Sequence, residues 1–271
     1  MKHLNFDNWI DYLISNKQNL QQVAWAEIYN LTESEYETIF KSVRIFQKGE
    51  SSEAKHIFKK AEEFLSDTGD KSYYNALTLF INEEHRHSFE LKRFMQLHDI
   101  PCLKKHWTDS AFRKLRWFGK LEQAITVLLT AEIIATVYYK ALQQSTDSIV
   151  LKQICSQILS DEEMHIRFQS ETLAQFYLKR NPVTNFMIHS LRRILLEGTF
   201  IVVWNDHKKV FGAAEYSFLK FRHECIKEFY KTVDIIYARA MQEKFDFINV
   251  QLQPFPAIRQ FNNDAINHLS I

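Results

Sequence analysis

Glu83-Glu84-His85-Arg86-His87 and Asp161-Glu162-Glu163-Met164-His165 carry the same ionisable pattern. Each holds a Glu-x-x-His pair preceded by another acid, and each sits inside an apolar run with helical spacing. Residues three and four apart share a helix face. Glu84 therefore lies with Leu77, Phe80, Ile81, His87, Ser88 and Leu91, and Glu162 with Cys155, Ile158, Leu159, His165, Ile166 and Gln169. Both pairs project into the packed side of their helices, where an unpartnered charge is costly. Between them, Glu132 is the only ionisable residue from Gln123 to Val137, and its helical neighbours are Ile125, Leu128, Leu129, Ala135, Thr136 and Tyr139. A carboxylate in that setting must be protonated, paired or bound to metal. Two Glu-x-x-His helices joined by single glutamates from two others are what a helical bundle uses to hold two metal ions in its core.

The surrounding sequence supplies the helices. Thr32 and Glu35 form a capping-box pattern that predicts one long helix to about Leu65. After the turn Asp67-Thr68-Gly69-Asp70, a second helix runs from about Ser72 to His98 and ends before Pro101. A third covers about 110–143 with a break near Gly119, and a fourth runs from about Ser148 to Lys179, stopped by Asn181-Pro182. Residues 5–30 predict one or two short helices around Trp9, Ile10, Tyr12, Leu13 and Trp25. Beyond Pro182 come three helical segments, near 183–208, 212–230 and 232–249, and then an irregular tail holding Pro254 and Pro256. Short turns join the first helix to the second and the third to the fourth as antiparallel hairpins, while the longer middle connection allows a crossover.

The first long helix must supply the remaining carboxylate. Glu132 and Glu162 are 30 residues apart across their hairpin, and a similar span back from Glu84 falls near Glu50 or Glu53. At about 100° per residue, Glu50 lies near the centre of the stripe Val43, Phe46, Ala54, Ile57, Ala61 and Phe64, whereas Glu53 is roughly 60° off it. Glu50 is the chosen ligand, with Glu53 as the alternative. Glu53-Ala54-Lys55-His56 is a third Glu-x-x-His, but His56 falls roughly 120° off the stripe and reads as coincidence. The metal set is thus Glu50, Glu84, His87, Glu132, Glu162 and His165. Four carboxylates and two imidazoles suit a pair of iron ions, and manganese fits the same donors. Four glutamates against two divalent ions leave no net charge in the core.

Composition bounds the remaining classes. The 271 residues include only five Gly and four Pro but 22 Phe, which excludes a turn-rich β protein and points to a single all-α domain. A formal charge of +1 argues against a nucleic-acid surface. Cys102, Cys155 and Cys225 are odd in number and widely spaced, which suggests a reducing compartment and a cytoplasmic protein. The first residues lack an apolar signal core, and the most apolar short run, Gly198 to Trp204, is far too short for a membrane span.

Over about residues 33–180 the chain resembles the ferritin-like di-iron carboxylate proteins. Glu83-Glu84-His85-Arg86-His87 matches the acid-Glu-x-Arg-His motif of soluble acyl-carrier-protein desaturases, ribonucleotide reductase small subunits and bacterial multicomponent monooxygenases. The second motif matches in part, because Met164 stands where the arginine would be, and Gly49-Glu50-Ser51 resembles the first-helix ligand segment of rubrerythrins. The resemblance implies a ferritin-like four-helix bundle with extra N-terminal and C-terminal helices, the latter over about 183–250. It also implies that Asp161 and Glu83 accept hydrogen bonds from the ligand histidines across the site, with Arg86 as a salt-bridge partner. Leu91 stands where a radical-forming reductase would carry tyrosine, and the Cys₄ module of a full rubrerythrin is absent. The function implied is a di-iron oxidase that uses O₂ to hydroxylate, desaturate or otherwise oxidise an apolar or aromatic substrate, with electrons from a separate reductase or ferredoxin. A rubrerythrin-like peroxidase or ferroxidase and a non-enzymatic helical interaction protein are the alternatives, and a homodimer is compatible with any of them.

Overall fold

The computed structural model describes residues 6–252 apart from Ile28, Ser52, Glu53, Asp70 and Phe118. The described residues are all-helical, without strands: α1 Asp7–Gln18, α2 Glu33–Glu50, α3 Lys55–Thr68, α4 Lys71–Leu97, α5 Trp107–Trp117, α6 Leu121–Gln144, α7 Ile149–Leu178, α8 Pro182–Ala213 and α9 Phe218–Leu252. The tail from Gln253, expected to be irregular, lies outside the described residues.

Local chemistry sets the boundaries. Thr32 caps α2 by accepting from the backbone N–H of Glu35, whose carboxylate accepts in return from the Thr32 N–H. Asn181 caps α8, with Pro182 in the first turn where its missing N–H costs nothing. Gly119, at φ 81°, separates α5 from α6. A Cβ there would combine a left-handed backbone with a contact 2.9 Å from the Gln123 side chain.

Two helix expectations are corrected. The long helix from Thr32 to Leu65 is two helices, α2 and α3, parted after Glu50. Gly49 and Ser51 weaken propagation there, and the Ser51 hydroxyl donates to the Lys48 carbonyl, competing with the backbone ladder. The segments at 212–230 and 232–249 are one helix, α9, because no Gly or Pro stands between them to stop propagation. The preceding reversal instead falls at Glu215, at φ 57°.

α6 and α7 form the most extensive helix pair, closed by the turn at 145–148. α4 packs on α2 and α7, α1 lies across α4, and α8 covers α2 and α6. α9 backs α7. The core includes a ring cluster of Phe6, Tyr73, Phe80 and Phe168, and Phe80 meets the His165 ring edge-on at 4.6 Å. α6 is buried over most of its length, so its single glutamate enters the molecule among apolar side chains. Among the described residues α6 is also the one helix long and apolar enough to cross a membrane, with 83% of its apolar stretch buried inside the protein. Glu132 interrupts the apolar run of this helix in the sequence.

Candidate metal centre

Four helices deliver six donors to one point. Glu50 ends α2, Glu84 and His87 lie on α4, Glu132 on α6, and Glu162 and His165 on α7. All six are withdrawn from solvent, the Glu84 side chain most open at 16%. They form two overlapping groups: Glu50, Glu84, His87 and Glu162, and Glu84, Glu132, Glu162 and His165. Within each group one donor atom from every residue lies within 4.8 Å of the others, so each group could hold a metal ion. Glu84 and Glu162 belong to both. Glu53, the alternative to Glu50, lies outside the described residues, and His56 of the third Glu-x-x-His is exposed.

The outer partners set the imidazole orientation. His87 Nε2 is 2.9 Å from Asp161 Oδ2, and His165 Nε2 is 2.9 Å from Glu83 Oε2. Each bond crosses between α4 and α7 and turns the ring so that Nδ1 faces the cluster. His165 Nδ1 is 2.9 Å from Glu84 Oε1 without hydrogen-bond alignment, and His87 Nδ1 is 3.8 Å from the same oxygen. Arg86 pairs with Asp161 and lies 3.5 Å from Glu90. Gln157 donates to Asp161. From α1, the Asn16 amide donates to Glu83 at 2.6 Å and to Asp161 at 2.8 Å, tying the two outer carboxylates together.

What remains unbonded is informative. Glu84 Oε1, both Glu162 oxygens, His87 Nδ1 and His165 Nδ1 are buried without a hydrogen-bond partner. Native interiors seldom leave such atoms unpaired, and here five face one another. All five belong to the six donors. The orphaned atoms are carboxylate oxygens and imidazole nitrogens, donors of the kind that bind a metal ion.

Electrostatics point the same way. Burial, then the neighbouring Glu84 charge, raises the Glu50 carboxyl well above its usual range, against a short hydrogen bond from Tyr139. Burial raises Glu162 well above its range too, reinforced by Glu132, and burial with the Glu84 charge raises Glu132. For Glu84 burial alone would raise the value, but His165 and His87 outweigh it and bring it to about 2. Burial would lower His165, yet Glu83 and Glu84 hold it well above the usual histidine value. Without a cation, Glu50, Glu132 and Glu162 hold protons more tightly, which relieves their repulsion, while Glu84 stays ionised beside the two histidines.

No protein-family model, no curated protein and no solved structure matches the chain. The geometry and chemistry of the centre therefore carry the functional reading.

A cavity of about 140 Å³ opens on the α2, α6 and α8 side. Glu50, Glu84 and Glu132 line it together with Phe46, Leu128, Ile134 and Val203, and Asp206 and His207 stand at its wall. Asp206 and His207 also line a recess of about 330 Å³ beside Lys41 and Lys209. His207 is buried, and its Nδ1 is 2.7 Å from the Ser42 hydroxyl, which donates to Tyr138. Burial brings His207 down to about 3, so it stays neutral in the wall. Among the other histidines, His85 and His223 are exposed, and His189 packs on Phe229.

Several polar contributors escaped the sequence reading. Tyr139, which the sequence places only as a helical neighbour of Glu132, donates to Glu50, and Gln169, placed only on the Glu162 face, donates to Glu132 at 3.0 Å. Both carried a signal, since each stands seven residues, two helical turns, beyond a ligand: Tyr139 after Glu132 and Gln169 after Glu162. Gln157 stands one turn before Asp161 on α7 and carried such a signal too, whereas Asn16 carried none, because nothing local ties α1 to the motifs.

Proposed function

We propose that α2, α4, α6 and α7 form a ferritin-like bundle that binds two ions, iron or manganese, and that the protein is an O₂-activating oxidase of a small apolar or aromatic substrate. The sharing of Glu84 and Glu162 by two otherwise separate donor groups carries this reading. Glu50 and His87 would hold one ion, Glu132 and His165 the other, with Glu84 and Glu162 between them. When bound, such a pair supplies reductive activation of dioxygen.

The protein's own part is positioning and exclusion of water. Asp161 and Glu83 fix the histidine rings, Asn16 and Arg86 hold those two acids, and the Tyr139 hydroxyl holds Glu50. The cavity beside Glu50, Glu84 and Glu132 is of the size that admits one benzene-sized group in an apolar interior. Its apolar lining favours oxidation of a bound organic group over peroxide disposal, for which no cavity is needed. Electrons must come from a separate donor, because the sequence holds no flavin, nicotinamide or iron–sulfur signature.

Anaerobic loading with Fe²⁺ followed by metal analysis tests the centre. The native chain should retain two ions and Glu132→Ala no more than one. Retention of two by the variant would remove Glu132 from the site. Exposure of the loaded protein to O₂ with small aromatic or aliphatic compounds, followed by product analysis, tests the chemistry. Peroxide consumption without organic oxidation would favour the rubrerythrin-like alternative.

A further inference from the structure

α8 is apolar on two opposite faces. Its inner face buries Leu196, Phe200 and Phe211 and lines the cavity with Thr199, Val203 and His207. Its outer face carries Val183, Phe186, Met187, Leu191, Ile194 and Ile201, each 58–71% exposed. The charged residues between them, Arg192, Arg193 and Glu197, turn to the flanks. There Arg192 pairs with Glu122, and Arg193 and Arg222 pair with Glu197. The stripe itself holds no charge until Lys208, which follows the exposed Asn205. A surface helix normally keeps its outer face polar, and a helix apolar all round is covered all round.

The spacing indicates what covers it. Met187, Leu191, Ile194, Gly198 and Ile201 alternate by four and three residues, the seam of two paired helices. The seam is also complementary to itself in reverse. A two-fold axis between Arg192 and Arg193 sets Leu191 against the second copy's Ile194 and Met187 against its Gly198. It also brings Val183 and Phe186 near its Ile201. The bulky end thus meets the small one, and at Gly198 an added Cβ would meet nothing within 4 Å, so the notch is open. The six exposed side chains offer roughly 700 Å² per copy, or about 1,400 Å² for a symmetric pair, within the range of stable interfaces.

We infer that α8 pairs antiparallel with α8 of a second copy of this chain, through an isologous seam centred between Arg192 and Arg193. The pairing braces the helix whose inner face walls the cavity, and it does not depend on the metal reading.

Sedimentation velocity over a hundredfold concentration range from micromolar upward tests the pairing. The native chain should sediment at about twice its 32.3 kDa mass. Leu191→Glu/Ile194→Glu should sediment as a monomer with unchanged helical circular dichroism. In a Cys102→Ser background, Met187→Cys/Gly198→Cys should oxidise to a covalent dimer, while Met187→Cys alone should not. A native monomer would overturn the inference, as would one that co-sediments with lipid vesicles. A dimer that survives the double glutamate variant would also overturn it. Efficient self-crosslinking of Met187→Cys would show a parallel seam and overturn the antiparallel arrangement.

Discussion

Asp161 shows how much one side chain can govern without belonging to the donor set. It has no exposed surface, and it accepts from His87, Arg86, Gln157 and Asn16. Burial would raise its carboxyl, but His87 and Arg86 outweigh that and hold it well below the ordinary aspartate value. Asp161 therefore stays ionised, and its hydrogen bond orients the His87 ring. Asp161→Asn keeps the size and loses the charge. Metal affinity at the His87 side should fall about 10–100-fold, the usual effect of removing such a partner. Competitive chelator titration measures this, and an unchanged affinity would mean that Asp161 serves the fold alone. The sequence marked this aspartate as an acid preceding a ligand motif, and the family resemblance implied its bond to a ligand histidine, but its bond to Asn16 was not visible there. Its four partners lie on α1, α4 and α7, and distance along the chain hides three of them.

At the scale of elements, the entry of α2 is tied to the α6–α7 turn through Glu35. Its carboxylate closes the capping box with Thr32 and accepts from the Tyr29 hydroxyl, the Thr146 hydroxyl and the Asp147 backbone N–H. Partial burial would raise its pKa, but the hydrogen bonds, led by those from the Asp147 and Thr32 backbones, lower it to about 2 from 4.5. The stabilisation is complete above about pH 4.5 and is lost as pH falls toward about 2. Glu35→Ala should cost about 1–2 kcal/mol at neutral pH, the usual worth of a cap. The gap between native and variant urea midpoints should close as the pH is lowered through that window. A gap independent of pH would show that the carboxylate charge contributes nothing.

For the whole molecule, the metal-free centre sets an unusual pH dependence. Glu50, Glu132 and Glu162 are raised, so the folded state binds more protons than the unfolded chain above about pH 4.5. His165 is raised as well, and its contribution is likewise lost as pH rises through its folded value. All four effects share one sign, and above about pH 6.5, where the opposing contribution of His207 is complete, the metal-free protein should lose stability as pH rises toward about 8. Divalent ions should reverse the trend, since binding requires deprotonated donors and favours the folded state. Thermal melts with chelator and with Mn²⁺ across that range read both slopes. Equal slopes would show that the cluster does not bind the ion.

Helical periodicity made the all-α class legible, together with the core-facing sides of α4, α6 and α7 and the end of α5 at Gly119. These are local properties, set by side chains within two turns of one another and by backbone preferences at single residues. The break after Glu50 was only half visible, because Gly49 and Ser51 weaken a helix without deciding where it stops. The continuity of α9 was not visible, since no local signal distinguishes a continuing helix from two abutting ones. Tertiary structure alone decided that Asn16 bridges Glu83 and Asp161, that Tyr139 serves Glu50, and that α8 walls the cavity. Those contacts join residues far apart in sequence, and their energies arise only when burial removes the water that would otherwise satisfy each group. The sequence by itself determined which side chains could not remain alone in a core, and packing determined the company each one keeps.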